Sequence, residues 1–89
     1  MAIIIYTSEN CSYCAEATKL LDSKKLRYQW IDVTNDPAQR QLMIEKSNGL
    51  RTVPQIFIDN QHIGGYKALR KMEIQGDLDD LIQKYVVRN

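Results

Sequence analysis

The sequence from residue 2 to residue 21 reads AIIIYTSENCSYCAEATKLL, and it contains both cysteines of the 89-residue chain. The run of β-branched and aromatic residues at 2–6 predicts a short buried strand. Farther along, small or apolar residues recur at helical spacing. They are Cys14, Ala17, Thr18 and Leu21. The segment therefore predicts a strand followed by a helix, with the two cysteines at the junction.

The pattern Cys11-Ser12-Tyr13-Cys14 places two thiols three residues apart at the start of this helix. Unpaired backbone N–H groups and the positive end of the helix dipole stabilise a thiolate there relative to the thiol. The second sulfur lies one turn along, close enough to attack a mixed disulfide formed on the first. We interpret the pair as a redox-active dithiol.

Two other uses of these cysteines stay open. A four-ligand zinc site would need a second copy of the chain, because the single histidine, His62, is distant in sequence. A purely structural disulfide is the other alternative, although so small a loop restrains little chain entropy.

The composition is that of a small globular domain. Twelve basic and eleven acidic residues give a net charge of +1, and the charges are scattered. The sequence contains neither a basic face nor a block of like charges, so its charge pattern does not indicate binding to nucleic acid or to a membrane surface. The N-terminal apolar run is too short for a signal-peptide core or a membrane span. We therefore expect one domain over residues 1–89, a monomer in the cytoplasm, where a C-x-x-C pair favours catalysis over structure.

The rest of the chain predicts six further elements. They are a strand over 26–33, a helix from Pro37 to about Asn48-Gly49, a strand over 55–59, an edge strand at 62–63, and helices over 66–74 and 77–85. Asp36 and Asp77 are the predicted N-caps of the first and last of these helices, and Gly49 is the predicted left-handed residue at the end of the first. Asn60-Gln61 is the predicted turn between the last two strands. The βαβ unit implies a parallel strand pair, and the hairpin adds an antiparallel edge. The prediction is an α/β fold, a four-stranded mixed sheet with helices on both faces.

Five other side chains receive ordinary structural interpretations. Tyr28 and Trp30 are expected to pack within the second strand. His62 is expected to be exposed on the edge strand. The pair Lys24-Lys25 reads as a solvated helix end favoured by the dipole.

Over essentially its whole length the chain resembles a glutaredoxin, a family with the thioredoxin-like fold. The resemblance is carried by Tyr6-Thr7, Cys11-Ser12-Tyr13-Cys14, the stretch from Arg51 to Ile58, and Ile63-Gly64-Gly65. A lone C-x-x-C would be a weak signal, but a Thr-Val-Pro turn, a hairpin and paired glycines after it make the combination specific.

The resemblance implies a role for each cysteine and for the Thr-Val-Pro turn. Cys11 would be the exposed nucleophile and Cys14 the partly buried resolving cysteine. Pro54 would follow a cis peptide bond, which turns the backbone of Val53 toward the cleft. Val53 would then pair with the backbone of glutathione as a short added strand.

The same resemblance implies a set of glutathione-binding residues. They are Tyr13, Arg51, Thr52, Val53, Pro54, Gly65, Tyr66 and Lys67. Tyr13 would flank the tripeptide, and Arg51, together with Gln41, would reach its glycine carboxylate. Backbone N–H groups at the helix start near Gly65 would bind a carboxylate, with added positive charge from Lys67.

Three positions depart from the family pattern. Ser12 stands where proline usually follows the first cysteine, which affects thiolate stability and redox potential. Ser8 stands where a lysine is common. Ala68 lies in the segment where family members commonly carry one or two aspartates that hold the γ-glutamyl end, so the ammonium of that end lacks its usual partner.

The resemblance implies a glutathione-dependent thiol–disulfide oxidoreductase acting on protein–glutathione mixed disulfides and protein disulfides. Ribonucleotide reductase is one partner known for the family, but nothing in the sequence selects it. Two alternatives stay open. One is a redoxin reduced directly by thioredoxin reductase. The other is a dimer holding a [2Fe–2S] cluster through Cys11 of each subunit and two glutathiones.

Overall fold

The computed structural model describes the backbone of residues 1–86 and the side chains of residues 1–84. The elements are β1 (Ile3–Thr7), α1 (Ser12–Ser23), β2 (Gln29–Asp32), α2 (Pro37–Lys46), β3 (Gln55–Ile58), β4 (Gln61–Gly64), α3 (Tyr66–Gln75) and α4 (Asp77–Val86). Residues 87–89 of the predicted domain, and the side chain of Tyr85, lie outside the described residues. Within the described part, no helix combines the length and the apolar character needed to cross a membrane.

The four strands form one sheet in the order β2-β1-β3-β4. β1 runs parallel to β2 and antiparallel to β3, and β3 pairs antiparallel with β4. The predicted mixed sheet is therefore confirmed. Its centre is β1 and β3, whose buried side chains alternate between the two faces as the strand period requires.

Helices cover both faces of this sheet, as predicted. On one face Ile3, Ile5, Ile56 and Ile58 form a core with α1, α3 and α4. On the other face Tyr6 and Phe57 pack with residues of α2 and with Val33. The four residues predicted to form the apolar face of α1 are the four that are buried in it.

The predicted N-caps of two helices can be compared with the observed helix starts. Asp36 caps α2 by accepting from the Gln39 N–H over 3.1 Å. The last helix begins at Asp77 itself, and the carbonyl of Gly76 accepts from the Asp80 N–H, so the prediction of Asp77 as the cap is wrong. Asp77 instead adds negative charge to the first turn of α4, where the helix dipole favours it.

The predicted hairpin turn and the predicted start of the second strand both lie one or more residues away from their observed positions. The hairpin turn is Asp59-Asn60, because both residues adopt the positive φ that such a two-residue turn needs, and Gln61 already belongs to β4. The helix α2 ends at Lys46, and Gly49 is left-handed as predicted, with Asn48 before it left-handed as well. After α1, left-handed Lys25 directs the Leu26 N–H back to the carbonyl of Leu21, so β2 begins only at Gln29.

Candidate active site

Cys11 is the N-cap of α1, at the point where the loop after β1 enters the helix. Its Sγ accepts a hydrogen bond from the backbone N–H of Cys14 over 3.1 Å. The two cysteines are joined in a disulfide with a Cα–Cα distance of 5.2 Å. Cys11 is partly exposed, whereas Cys14 is 2% exposed. Reagents in solution therefore reach Cys11 before they reach Cys14, which is the order that the resemblance implied.

The Thr-Val-Pro turn lies directly against Cys11. The carbonyl oxygen of Val53 is 3.8 Å from Sγ of Cys11, and the Val53–Pro54 peptide bond is cis, as the resemblance implied. Cys11 and Val53 are 42 positions apart in the sequence, and the fold brings the sulfur and the carbonyl together.

One groove, which we call the α3 groove, runs from this turn to the start of α3. It has a volume of about 380 Å³ and is lined by Tyr13, Leu50 and residues 52–55 and 65–68. Tyr13, 53% exposed, stacks on Tyr66 with ring centroids 6.0 Å apart. Lys67 is the single charged residue among the described residues that line it. An anionic peptide would suit this groove.

The α3 groove brings together seven of the eight predicted glutathione-binding residues. The exception is Arg51, which is exposed and lies outside the lining residues, as does Gln41 on α2. Three lining residues were not among those eight: Leu50, Gln55 and Ala68. An apolar residue within a polar loop is the sequence signal that could have identified Leu50 as a lining residue. In the structure its side chain is 48% exposed.

Gln55 holds the Thr-Val-Pro turn from behind. Its side chain is buried, and its Nε2 donates to the carbonyl oxygen and the hydroxyl of Thr52 over 3.0 and 3.2 Å. Its Oε1 lies 2.7 Å from Nε2 of His62. The prediction that His62 is simply exposed is therefore wrong: the ring is half-buried and packs on Phe57.

A second groove, which we call the β2 groove, lies on the other side of Cys11. It is open, has a volume of about 680 Å³, and is lined by residues 8–12, by Cys14, Ala15 and Thr18 of α1, and by Trp30 and Asp32. The expected packing of Trp30 is wrong, because its side chain is 49% exposed. Tyr28 does pack as predicted, and its hydroxyl donates to Asp22 over 3.0 Å.

Lys24 is not a merely solvated residue, contrary to the sequence interpretation. Its Nζ lies 2.7 Å from Oε2 of Glu73 and 2.8 Å from Oδ1 of Asp79. The hydrogen bond to Asp79 and that to Glu73 raise the pKa of Lys24 above its ordinary value. This ion pair joins the C-terminal end of α1 to α3 and α4, at the opposite end of the helix from Cys11.

Metal-ligating side chains do not converge anywhere in the described part of the chain. Among residues 1–86, no three side chains of histidine, cysteine, aspartate or glutamate are grouped closely enough to hold an ion.

Comparison with known proteins connects this geometry to one family. The family profile named Glutaredoxin matches residues 3–63. Glutaredoxin 1 of Rickettsia conorii is 48% identical over 82 residues, which cover 91% of this chain and 80% of that protein. Glutaredoxin 3 of Escherichia coli strain K12 is 47% identical over 79 residues, covering 89% and 94%.

A solved structure gives the same result for the fold. The crystal structure of a buckwheat glutaredoxin–glutathione complex superposes with a TM-score of 0.81 at 28% identity, covering 92% of this chain and 76% of that one. The arrangement of strands and helices described above is thus the thioredoxin-like one.

Proposed function

The chain belongs to the glutaredoxin family, and we propose that it is a thiol–disulfide oxidoreductase whose reductant is glutathione. The observation that carries the proposal is the position of Cys11. Its sulfur is a helix N-cap, is partly exposed, and lies 3.8 Å from the Val53 carbonyl at the end of a groove. Among the described residues that line this groove, Lys67 is the charged one.

In the monothiol route, the Cys11 thiolate attacks the glutathionyl sulfur of a protein–glutathione mixed disulfide. A bond forms between Cys11 and glutathione, and the protein sulfur leaves as a thiolate that takes a proton from water. A second glutathione thiolate then attacks the adduct, releasing oxidised glutathione and restoring Cys11. The α3 groove would hold the tripeptide in both steps, through the backbone of Val53 and the charge of Lys67.

In the dithiol route, Cys11 attacks a disulfide of a protein substrate and Cys14 resolves the mixed disulfide. The products are a reduced substrate and the Cys11–Cys14 disulfide present in the structure. Two glutathiones then reduce that disulfide. Each step needs one Cys11, so we propose that a monomer suffices, and we place the reaction in the cytoplasm, where thiols are kept reduced.

The direct test is turnover of a glutathionylated small disulfide, coupled to NADPH through glutathione reductase. We expect glutathione-dependent turnover by the wild-type chain and none by Cys11→Ser. The same assay with thioredoxin reductase in place of glutathione and its reductase tests the alternative electron donor. Turnover with thioredoxin reductase alone would contradict the proposed reductant.

A further inference from the structure

The two grooves beside Cys11 carry opposite charge. The α3 groove has Lys67 as its charged lining residue, whereas the β2 groove has Glu9 and Asp32 and, among its described lining residues, neither lysine nor arginine. Cys11 therefore lies on a boundary, with a cation on one side and two carboxylates on the other. A molecule bonded to Cys11 would meet a different chemistry depending on the direction in which it extends.

The β2 groove follows from the position of β2 at the edge of the sheet. Trp30 pairs with Ile5, and Asp32 with Thr7, so both side chains project from the face that α1 covers. Because β2 is the outermost strand, Trp30 lies beside α1 rather than beneath it, and half of its surface stays open. The groove is thus walled by α1 on one side and by an indole ring on the other.

The acidic end of this groove is fixed by hydrogen bonds. The backbone N–H of Thr34 donates to Oδ1 of Asp32 over 2.9 Å, and the Thr34 hydroxyl accepts from the Glu9 N–H over 2.8 Å. The hydroxyl of Thr34 and then its backbone N–H hold the pKa of Asp32 below its ordinary value. Asp32 is therefore a carboxylate at neutral pH, and a single threonine ties it to the segment that carries Glu9.

We propose that the β2 groove docks the polypeptide of a protein substrate, and that it selects segments with lysine or arginine close to the target cysteine. The proposal rests on the proposed function. A cationic side chain would lie between Glu9 and Asp32, and its aliphatic or guanidinium part would cover the exposed face of Trp30. Cys11 lines the same groove as Glu9 and Asp32, so the cation belongs close to the target cysteine along the substrate chain.

The docked species is the mixed disulfide of the dithiol route. The Cys11 thiolate attacks one sulfur of the substrate disulfide, the Cys11–substrate bond forms, and the second substrate sulfur leaves as a thiolate that is protonated by water. The Cys14 thiolate then attacks Cys11 and releases the reduced substrate. Between these steps the substrate segment is tethered to Cys11, next to the groove.

The experiment uses the reduced protein and three disulfide-linked peptide dimers, without glutathione. The peptides are identical except for arginine, glutamine or glutamate near the cysteine. We expect the arginine peptide to be reduced about 3- to 10-fold faster than the glutamate peptide at low salt. In about 1 M sodium chloride, where the screening length is about 3 Å, this ratio falls toward one.

Two variants assign the preference to the groove. The double variant Glu9→Gln, Asp32→Asn should bring the arginine-to-glutamate ratio close to one. Glu45→Gln is the control for loss of a carboxylate elsewhere, since Glu45 lies on the exposed surface of α2 on the other face of the sheet, and the ratio should stay as in the wild type. Equal rates for all three peptides, or a ratio that the double variant leaves intact, would overturn the docking proposal. Failure to reduce any of the peptides would instead overturn the proposed function.

Trp30 offers a direct readout, because it is the single tryptophan of the chain. A Cys14→Ser variant holds the mixed disulfide of Cys11 with the arginine peptide, and the glutathione adduct of the same variant serves as control. We expect the peptide adduct to show Trp30 emission at shorter wavelength and weaker quenching by acrylamide than the glutathione adduct. Identical emission and quenching in the two adducts would show that the peptide does not lie against Trp30, and would contradict docking in the β2 groove.

Discussion

The backbone N–H of Cys14 donates to Sγ of Cys11 over 3.1 Å, so the Cys11 sulfur occupies the position of a helix-capping oxygen. An anionic sulfur gains more from this N–H and from the helix dipole than a thiol does.

The first prediction is that the pKa of the Cys11 thiol in the reduced protein lies well below the reference value of about 8.5. The measurement is thiolate absorbance or alkylation rate against pH, made on Cys14→Ser so that one thiol titrates. The unfolded variant in denaturant provides the control value. A pKa at or above the reference would remove the physical basis for assigning Cys11 as the nucleophile.

The second prediction separates the roles of the two thiols. Cys11→Ser should abolish all activity, because a hydroxyl is not ionised at neutral pH and cannot replace the thiolate. Cys14→Ser should keep deglutathionylation and lose the reduction of protein disulfides. Both variants are measured on a glutathionylated peptide and on a disulfide-bonded protein. Equal inactivity of the two variants would show that the order of the cysteines is assigned wrongly.

The third prediction concerns the residues that bind the γ-glutamyl end of glutathione. Ala68→Asp adds a carboxylate to the α3 groove, and it should lower the KM for glutathione by about 2- to 5-fold, the range of a partly exposed ion pair. Lys67→Ala should raise that KM by a similar factor, whereas Lys71→Ala, exposed farther along α3, is the control. No effect of Ala68→Asp together with a severe effect of Lys67→Ala would mean that this chain binds the γ-glutamyl end in a different way from its relatives.

A fourth prediction concerns the ion pair of Lys24 with Glu73 and Asp79. The pKa of Lys24 is raised above 10.5, chiefly by Asp79 and then by Glu73, so the charged form is the one that the fold stabilises. The stabilisation is fully present below the unfolded pKa and is lost as the pH rises through the folded pKa. Lys24→Gln should therefore lower the thermal midpoint at neutral pH, and its difference from wild type should shrink at strongly alkaline pH.

The control for this variant is Lys19→Gln. The Nζ of Lys19 lies 3.8 Å from Glu16, and both side chains are at least half exposed, so the thermal midpoint should change little. If the two variants were equally destabilising, the ion pair at Lys24 would have no special role in joining α1 to α3 and α4.

The fifth prediction tests Gln55 as the support of the Thr-Val-Pro turn. Gln55→Met keeps the length of the side chain and removes the hydrogen bonds to Thr52 and His62, which should cost about 1–3 kcal/mol of stability. Because Val53 would be held less firmly, the KM for glutathione should rise more than kcat falls. Thermal unfolding and steady-state kinetics measure the two effects. A stability loss with KM unchanged would make Gln55 a core residue alone.

Local patterns predicted the framework of this protein closely. The junction of β1 and α1, the buried face of α1, the Asp36 cap and the parallel and antiparallel pairing depend on neighbours within a few residues or on general rules of connection, so they can be read along the chain. The turns were less accurate, because left-handed backbone at Lys25, Asn48, Asp59 and Asn60 is adopted by residues other than glycine, and the sequence does not mark which member of a polar pair adopts it.

Spacing and periodicity along the chain were enough to predict a redox pair at a helix start in a small mixed α/β fold, since both are properties of neighbouring residues. The surroundings of that pair depend on tertiary packing. Sγ of Cys11 meets the carbonyl of Val53 only because β3 pairs with β1, and Trp30 is open beside Cys11 only because β2 is an edge strand. Both contacts join residues that are far apart in the chain, and the packing of the sheet, which no local pattern records, brings them together.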